Sequence, residues 1–234
     1  SQILISQGYK VGLYSSPHLH SVRERIKVDS ELISEKDFSD LVAEIYPYVD
    51  WVKDYGKFGA ITTFEIITAM SFVHFYNQKV DFQVIEVGLG GRLDATNVVS
   101  PEVSIITSLS IDHESVLGSN IQSIAKEKAG IIKKNIPVVV APQKSEAKEI
   151  IIQTSSQNQA DIYLLDEIAS WSIFKIENKA QHGVIFTSEN EYKIKIPLLG
   201  RYQFENAAIA CVVSEVLNKK GFKISKKSIV SGIS

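Results

Sequence analysis

Residues 84–97 read VIEVGLGGRLDATN, in which an apolar run meets an acid, Glu86, and then crosses Gly88, Gly90 and Gly91 before reaching Asp94. Nearly continuous Val and Ile runs, separated by helical patterns, indicate strands of a parallel sheet covered by helices. The same alternation extends outward from this stretch. Upstream, residues 62–78 form an apolar helical pattern that feeds a strand over 81–87, and residues 10–15 form an earlier strand. Between them, ERIKVDSELIS reads as a short extended pair, and a helix starts at Ser34 with Asp37 placed for a capping box. Downstream, EVSIITSLS and IPVVVAP are strands, NIQSIAKEKAGIIKK is a helix, residues 145–157 are a helix and residues 161–165 a strand. From Ser170 the period changes to two, and WSIFKIEN, GVIFTSEN and YKIKIP read as a small antiparallel meander. A long helix over GRYQFENAAIACVVSEVLNKKG then ends at Gly221. The expected fold is α/β, a mostly parallel sheet with helices on both faces, plus an antiparallel meander at one edge.

Composition excludes several function classes. A net charge of -2 and scattered lysines leave no basic stripe for nucleic acid or anionic lipid. Trp51, Trp171 and the tyrosines of YPYVDWVKDYG read as packing rather than as a base-stacking platform. The single cysteine, Cys211, sits in a helical pattern that suits a small buried side chain and rules out a disulfide framework. No apolar run approaches the roughly 20 residues of a membrane span. A cytoplasmic, monomeric protein with no membrane or nucleic-acid partner is expected. The opening SQILISQG resembles the tail of a helix and the closing SKKSIVSGIS the start of another, so the chain is expected to be part of a longer protein.

In open parallel sheets, ligands bind beyond the carboxyl ends of the strands. Three strands end in polar residues here: Ser16 in YSSPH, Glu86 before the glycine turn, and Asp112 with His113 in SLSIDH. A hydroxyl, a carboxylate and an imidazole together make a ligand set for Mg²⁺ or Mn²⁺. Each piece also has a plainer account: the glycines suit a tight turn, and Asp112-His113 suits a helix cap. Lys128 interrupts the apolar stripe of Ile121, Ile124, Ala125, Ile131 and Ile132, either as a stem reaching the helix rim or as a contact to the anionic site, directly or as a carbamate. In TTFE, Thr62 and Glu65 form a capping box that needs no ligand, while Phe64 is free to face a pocket.

Taken in order, YSSPHL, ERI, TTFE, EVGLGGRLDATN, ITSLSIDH, IAKEKAGI and LLGRYQFENAAIA resemble the folylpolyglutamate synthase and dihydrofolate synthase family of the Mur ligase superfamily. The resemblance implies an ATP-dependent amide ligase, in which Mg-ATP phosphorylates a substrate carboxylate and L-glutamate displaces phosphate. It implies Ser16, Glu86 and His113 as Mg²⁺ ligands and Lys128 as a carbamylated lysine. Thr62, Thr63, Phe64 and Glu65, with Leu93, Asp94 and Ala95, would meet the pterin or folate substrate, and Asn206 the ATP adenine. Residues 1–234 would be the central ATP-binding domain without its phosphate loop, since no G-x-x-x-x-G-K-[ST] pattern occurs, and without the C-terminal domain. By itself such a piece is expected to be inactive. Two alternatives stay open: another Mur-type amino-acid ligase of peptidoglycan synthesis, and a non-catalytic binding module on the same fold.

Overall fold

The computed structural model describes residues 1–57, 59–110 and 120–234. They form two compact units, Ser1–Leu89 with Asp94–Val98, and Gly90–Leu93 with Val99–Ser234.

In the first unit, β1 (Val11–Tyr14) lies between β2 (Ile26–Val28) and β4 (Phe82–Ile85), and β3 (Glu31–Leu32) completes the order β3-β2-β1-β4. The pair β1–β4 is parallel, with Tyr14 opposite Ile85, while β1–β2 and β2–β3 are antiparallel. The β2–β3 link is a two-residue turn at Asp29 and Ser30, both with positive φ (49° and 77°), as the twist of a tight hairpin demands. Asp29 then accepts the Val11 amide through Oδ1 at 2.8 Å, which ties the turn back to the central strand.

Helix α1 (Gln2–Gln7) precedes β1, and α2 (Glu35–Tyr55) and α3 (Thr63–Asn77) follow the hairpin. Tyr14, Ile26, Leu41, Ile45, Ile67, Met70 and Phe75 form the core. Gly12 is obligatory there, because a Cβ would lie 2.6 Å from the Phe75 ring. The expected cap at Ser34 is present in half: its hydroxyl accepts the Asp37 amide at 3.0 Å, but the Asp37 carboxylate returns to the hydroxyl rather than to the backbone. Aspartate is one methylene shorter than the glutamate that usually closes the box. The reading of the YPYVDWVKDYG aromatics as packing is overturned: Tyr46, Tyr48, Trp51 and Tyr55 are exposed. Leu41 and Ile45 are the buried residues of α2 and lie in its first half, whereas all four aromatics come after them along the helix.

The second unit contains a parallel sheet of order β5-β6-β7, formed by Ser104–Ile106, Val138–Val140 and Ile162–Leu164. Helix α4 (Ile121–Ala129) precedes β6, and α5 (Ser145–Gln157) crosses from β6 to β7. All three valines of β6 are fully buried, each contributing about 1.5–3 kcal/mol by leaving water. A short α6 (Leu165–Ile168), absent from the sequence reading, leads into β8 (Ala169–Glu177), β9 (Ala180–Thr187) and β10 (Glu191–Ile196). These three form their own antiparallel sheet, with a bulge between Ile173 and Lys175.

Helix α7 (Tyr202–Lys219) packs on both β8 and β9 and also reaches β6. Gly183 of β9 lets it approach, since a Cβ there would meet the Phe204 ring at 2.5 Å. Cys211 is buried in this helix, as expected. Helix α8 (Lys226–Ile233) closes the chain, capped by Ser225. The α/β class, the parallel pairing and the antiparallel meander are those expected from the sequence. The parallel strands, however, divide between two sheets, and the first of these is mixed.

Candidate active site

The end of β4 and the end of β1 leave the sheet side by side, because they are parallel neighbours in register. The Glu86 amide donates to the Tyr14 carbonyl at 3.0 Å, extending the ladder by one step beyond the last paired strand residues. One residue past Ser15 the chain turns, and the Ser16 amide donates to Glu86 Oε2 at 2.8 Å. The Ser16–Pro17 peptide is cis. Among the described residues, the Ser16 hydroxyl and the second Glu86 oxygen form no hydrogen bond.

A hydroxyl and a carboxylate oxygen at one strand edge are hard donors that fit Mg²⁺, with its preference for oxygen and for retained waters. The structure therefore brings together two of the three expected ligands. His113, with Asp112, lies outside the described residues. Among the described residues, no group of three or more His, Cys, Asp or Glu side chains could hold a metal ion.

The glycine turn that follows is organised by Asp94. Its Oδ2 accepts the amides of Gly88 (3.1 Å) and Leu89 (2.9 Å), and its Oδ1 accepts the Thr96 amide (2.9 Å) and hydroxyl (2.5 Å). Both carboxylate oxygens are thus engaged by the chain itself, within a turn that continues into the 3₁₀ segment Ala95–Val98. Gly90 has φ 71°, the left-handed conformation that glycine adopts without steric cost. Gly88 serves close approach instead: a Cβ there would stand 2.4 Å from the Phe64 ring. Half-buried Phe64 therefore lies against the turn that follows Glu86.

Thr62 and Glu65 form the complete capping box that the sequence suggested, with both reciprocal bonds in place. Bonds from the Thr62 amide and hydroxyl hold the Glu65 carboxyl below the usual carboxylate range. Thr62, Thr63 and Glu65 are exposed. Their hydrogen bonds account for the helix start with no ligand.

In the second unit, Lys128 lies in the last turn of α4 and is half-buried, whereas Lys126 and Lys134 are exposed. Its ammonium forms no hydrogen bond or ion pair among the described residues. Leu93 is exposed, and Asn206 is exposed in the second turn of α7. One residue before it, the Glu205 carboxylate accepts a short bond from the Ser108 hydroxyl, just beyond β5.

Several contributors were missed in the sequence. Thr96 completes the Asp94 network, and Gln143 links the strand ends of β5 and β6, donating to the Thr107 carbonyl at 2.9 Å and accepting the Leu109 amide at 3.1 Å. Ser21 and Glu24 form another capping box, at the 3₁₀ turn Val22–Arg25. That one was legible, since S-x-x-E is its signature. Gln143 was not, because its partners are backbone atoms 34 and 36 residues away.

Comparison with known proteins agrees with this architecture. The Mur ligase middle domain matches residues 40–214. The dihydrofolate synthase/folylpolyglutamate synthase of Bacillus subtilis is 38% identical over 99% of this chain, which covers 54% of that protein. A solved folylpolyglutamate synthase in complex with AMPPCP and folate superposes with a TM-score of 0.94 at 32% identity, covering 100% of this chain and 57% of that one. The folylpolyglutamate synthase of Thermotoga maritima gives a TM-score of 0.87 at 35% identity, with 99% and 52% covered. The chain thus spans about half the length of the relatives it matches. A shared parallel-strand architecture and a family match over most of its length mean that this chain belongs to the Mur ligase family of ligases, in the branch of the folylpolyglutamate and dihydrofolate synthases.

Proposed function

We propose that the protein of which these 234 residues are the central ATP-binding domain is a cytoplasmic, ATP-dependent ligase that adds L-glutamate to dihydropteroate, to folylpoly-γ-glutamate, or to both. The observation that carries this reading is the pairing of Ser16 with Glu86 at the shared carboxyl edge of β1 and β4. A relative solved with AMPPCP and folate supports the same substrate classes.

A carboxylate is a poor acyl donor until one of its oxygens carries phosphate, so ATP first converts it to an acyl phosphate, and the amine of glutamate then displaces phosphate. Ser16, Glu86 and His113 would hold Mg²⁺, which when bound offsets the negative charge that gathers on phosphate and carboxylate. Glu86 is suited to this because its Oε2 is oriented by the Ser16 amide, leaving Oε1 open. In this reading, Asn206 meets the adenine, and Lys128 adds charge at the reacting phosphate or, carbamylated, a further ligand. Thr62, Thr63, Phe64, Leu93 and Ala95 contact the pterin. Asp94 and Glu65, whose carboxylates are bonded within the chain, would contribute to the same substrate surface through the turn and the helix start that they hold.

The test is phosphate release from ATP by the full-length protein, with dihydropteroate and glutamate, then with tetrahydrofolate and glutamate, each with and without Mg²⁺. Release that requires acceptor, glutamate and cation together is expected, and Glu86→Ala should abolish it. Release that ignores both acceptors would refute the assignment.

A further inference from the structure

We infer that Arg92 and Glu127 are a positioning pair that fixes the end of the helix carrying Lys128; this deepens the ligase reading and rests on it. The last four carbonyls of a helix lack partners within it, and its final turn frays unless something holds it. Helix α4 ends at Ala129, so the Glu127 carbonyl is among these. It accepts the Gly130 amide in a longer bond at 3.3 Å and the Arg92 amide in a shorter one at 2.8 Å. The Arg92 guanidinium also donates to Glu127 Oε1 from Nε (3.2 Å) and Nη2 (2.9 Å). One residue of the glycine turn thus grips one residue of the helix through backbone and side chain together. A cation at a helix carboxyl end also suits the helix dipole.

Glycines on both sides make this contact possible. A Cβ on Gly91 would lie 2.7 Å from the Glu127 carbonyl oxygen and 3.1 Å from the Lys128 Cα. A Cβ on Gly130 would lie 2.4 Å from the Arg92 Cβ and 2.7 Å from its Cα. These obstacles are mostly backbone or backbone-proximal atoms that cannot swing away. An ordinary surface ion pair, of little worth by itself, would require neither glycine nor the second, main-chain bond. The Lys128 backbone is therefore packed directly against the turn, while its ammonium has no partner among the described residues. A fixed stem with an available head is what a group acting on a substrate requires.

The experiment compares Arg92→Ala, Arg92→Lys and the exchange Arg92→Glu/Glu127→Arg in the full-length enzyme, with Lys128→Ala as reference and thermal unfolding measured for each. Misplacing a reacting group by about 1 Å can lower the rate by roughly 100-fold, and loss of one anchor should do less. Arg92→Ala is expected to lower kcat about tenfold with KM for ATP and acceptor changed less than about twofold, and Arg92→Lys and the exchange should each recover part of it. An unchanged kcat in Arg92→Ala, or a loss that only follows the folded fraction, would overturn the inference. If Lys128→Ala keeps the wild-type rate, the pair has nothing to position and the inference fails while ligase activity stands. No ligase activity in the wild-type protein would instead refute the functional reading on which it rests.

Discussion

Replacing Asp94 with Asn separates a residue that shapes the glycine turn from one that recognises a substrate. The carboxylate accepts four hydrogen bonds, two on each oxygen, at 2.5 to 3.1 Å. Asparagine keeps one oxygen. If that oxygen stays with Thr96, an NH₂ group faces the Gly88 and Leu89 amides, donor against donor, and two charge-assisted bonds are lost. Each such bond contributes about 1.5 kcal/mol or more, but Gly88 and Leu89 are exposed and water replaces part of the loss. The net cost is about 2 kcal/mol, or roughly 30-fold in the equilibrium between closed and open turn. Hydrogen exchange at the Gly88 and Leu89 amides reads this directly, and protection there should fall by roughly that factor while protection in β6 stays unchanged. Unaltered protection at both amides, with a raised KM for the acceptor, would refute the turn-organising role and make Asp94 a substrate ligand.

Three further outcomes follow from the hydrogen-bond geometry. The Glu24 carboxylate accepts the Leu19, His20 and Ser21 amides, which hold its pKa down to about 2. Because the folded value is depressed, its contribution to loop order is complete above the ordinary carboxylate range and disappears as pH falls toward 2; a carboxyl-carbon NMR titration with its midpoint at the ordinary value would contradict this. Buried Glu215 accepts bonds from Thr187, Asn190 and Tyr192 on one oxygen, so Glu215→Ala should cost about 4 kcal/mol in urea unfolding and Tyr192→Phe about 1 kcal/mol, and equal costs would disprove the shared anchor. Burial first, then the Glu215 charge, pushes the Cys211 thiol up to about 12, so a thiol reagent at pH 8 should label it only after unfolding, and stoichiometric labelling of the folded protein would count against that.

Local chemistry was legible in the residue order. The strand–helix alternation, the Thr62 capping box and the full extent of Ser145–Gln157 all follow from periodicity and capping, which act over a few neighbouring residues. So did the location of Ser16 and Glu86 at strand ends, since parallel strands leave a sheet at the same edge. Tertiary structure decided the matters that depend on distant partners. Four acceptor bonds give Asp94 a structural role that its neighbours in sequence do not announce. Gly88 and Gly91 look alike as turn residues, yet one makes room for Phe64 and the other for the backbone of α4. Helix α2 shows the converse: its aromatics have a core-like composition but come after its buried residues, Leu41 and Ile45, along the helix. Sequence determined which segments could form strands and helices, because those preferences are local. Only tertiary structure determined what each turn residue touches, because a close approach or a hydrogen bond depends on atoms that the folded chain brings from elsewhere.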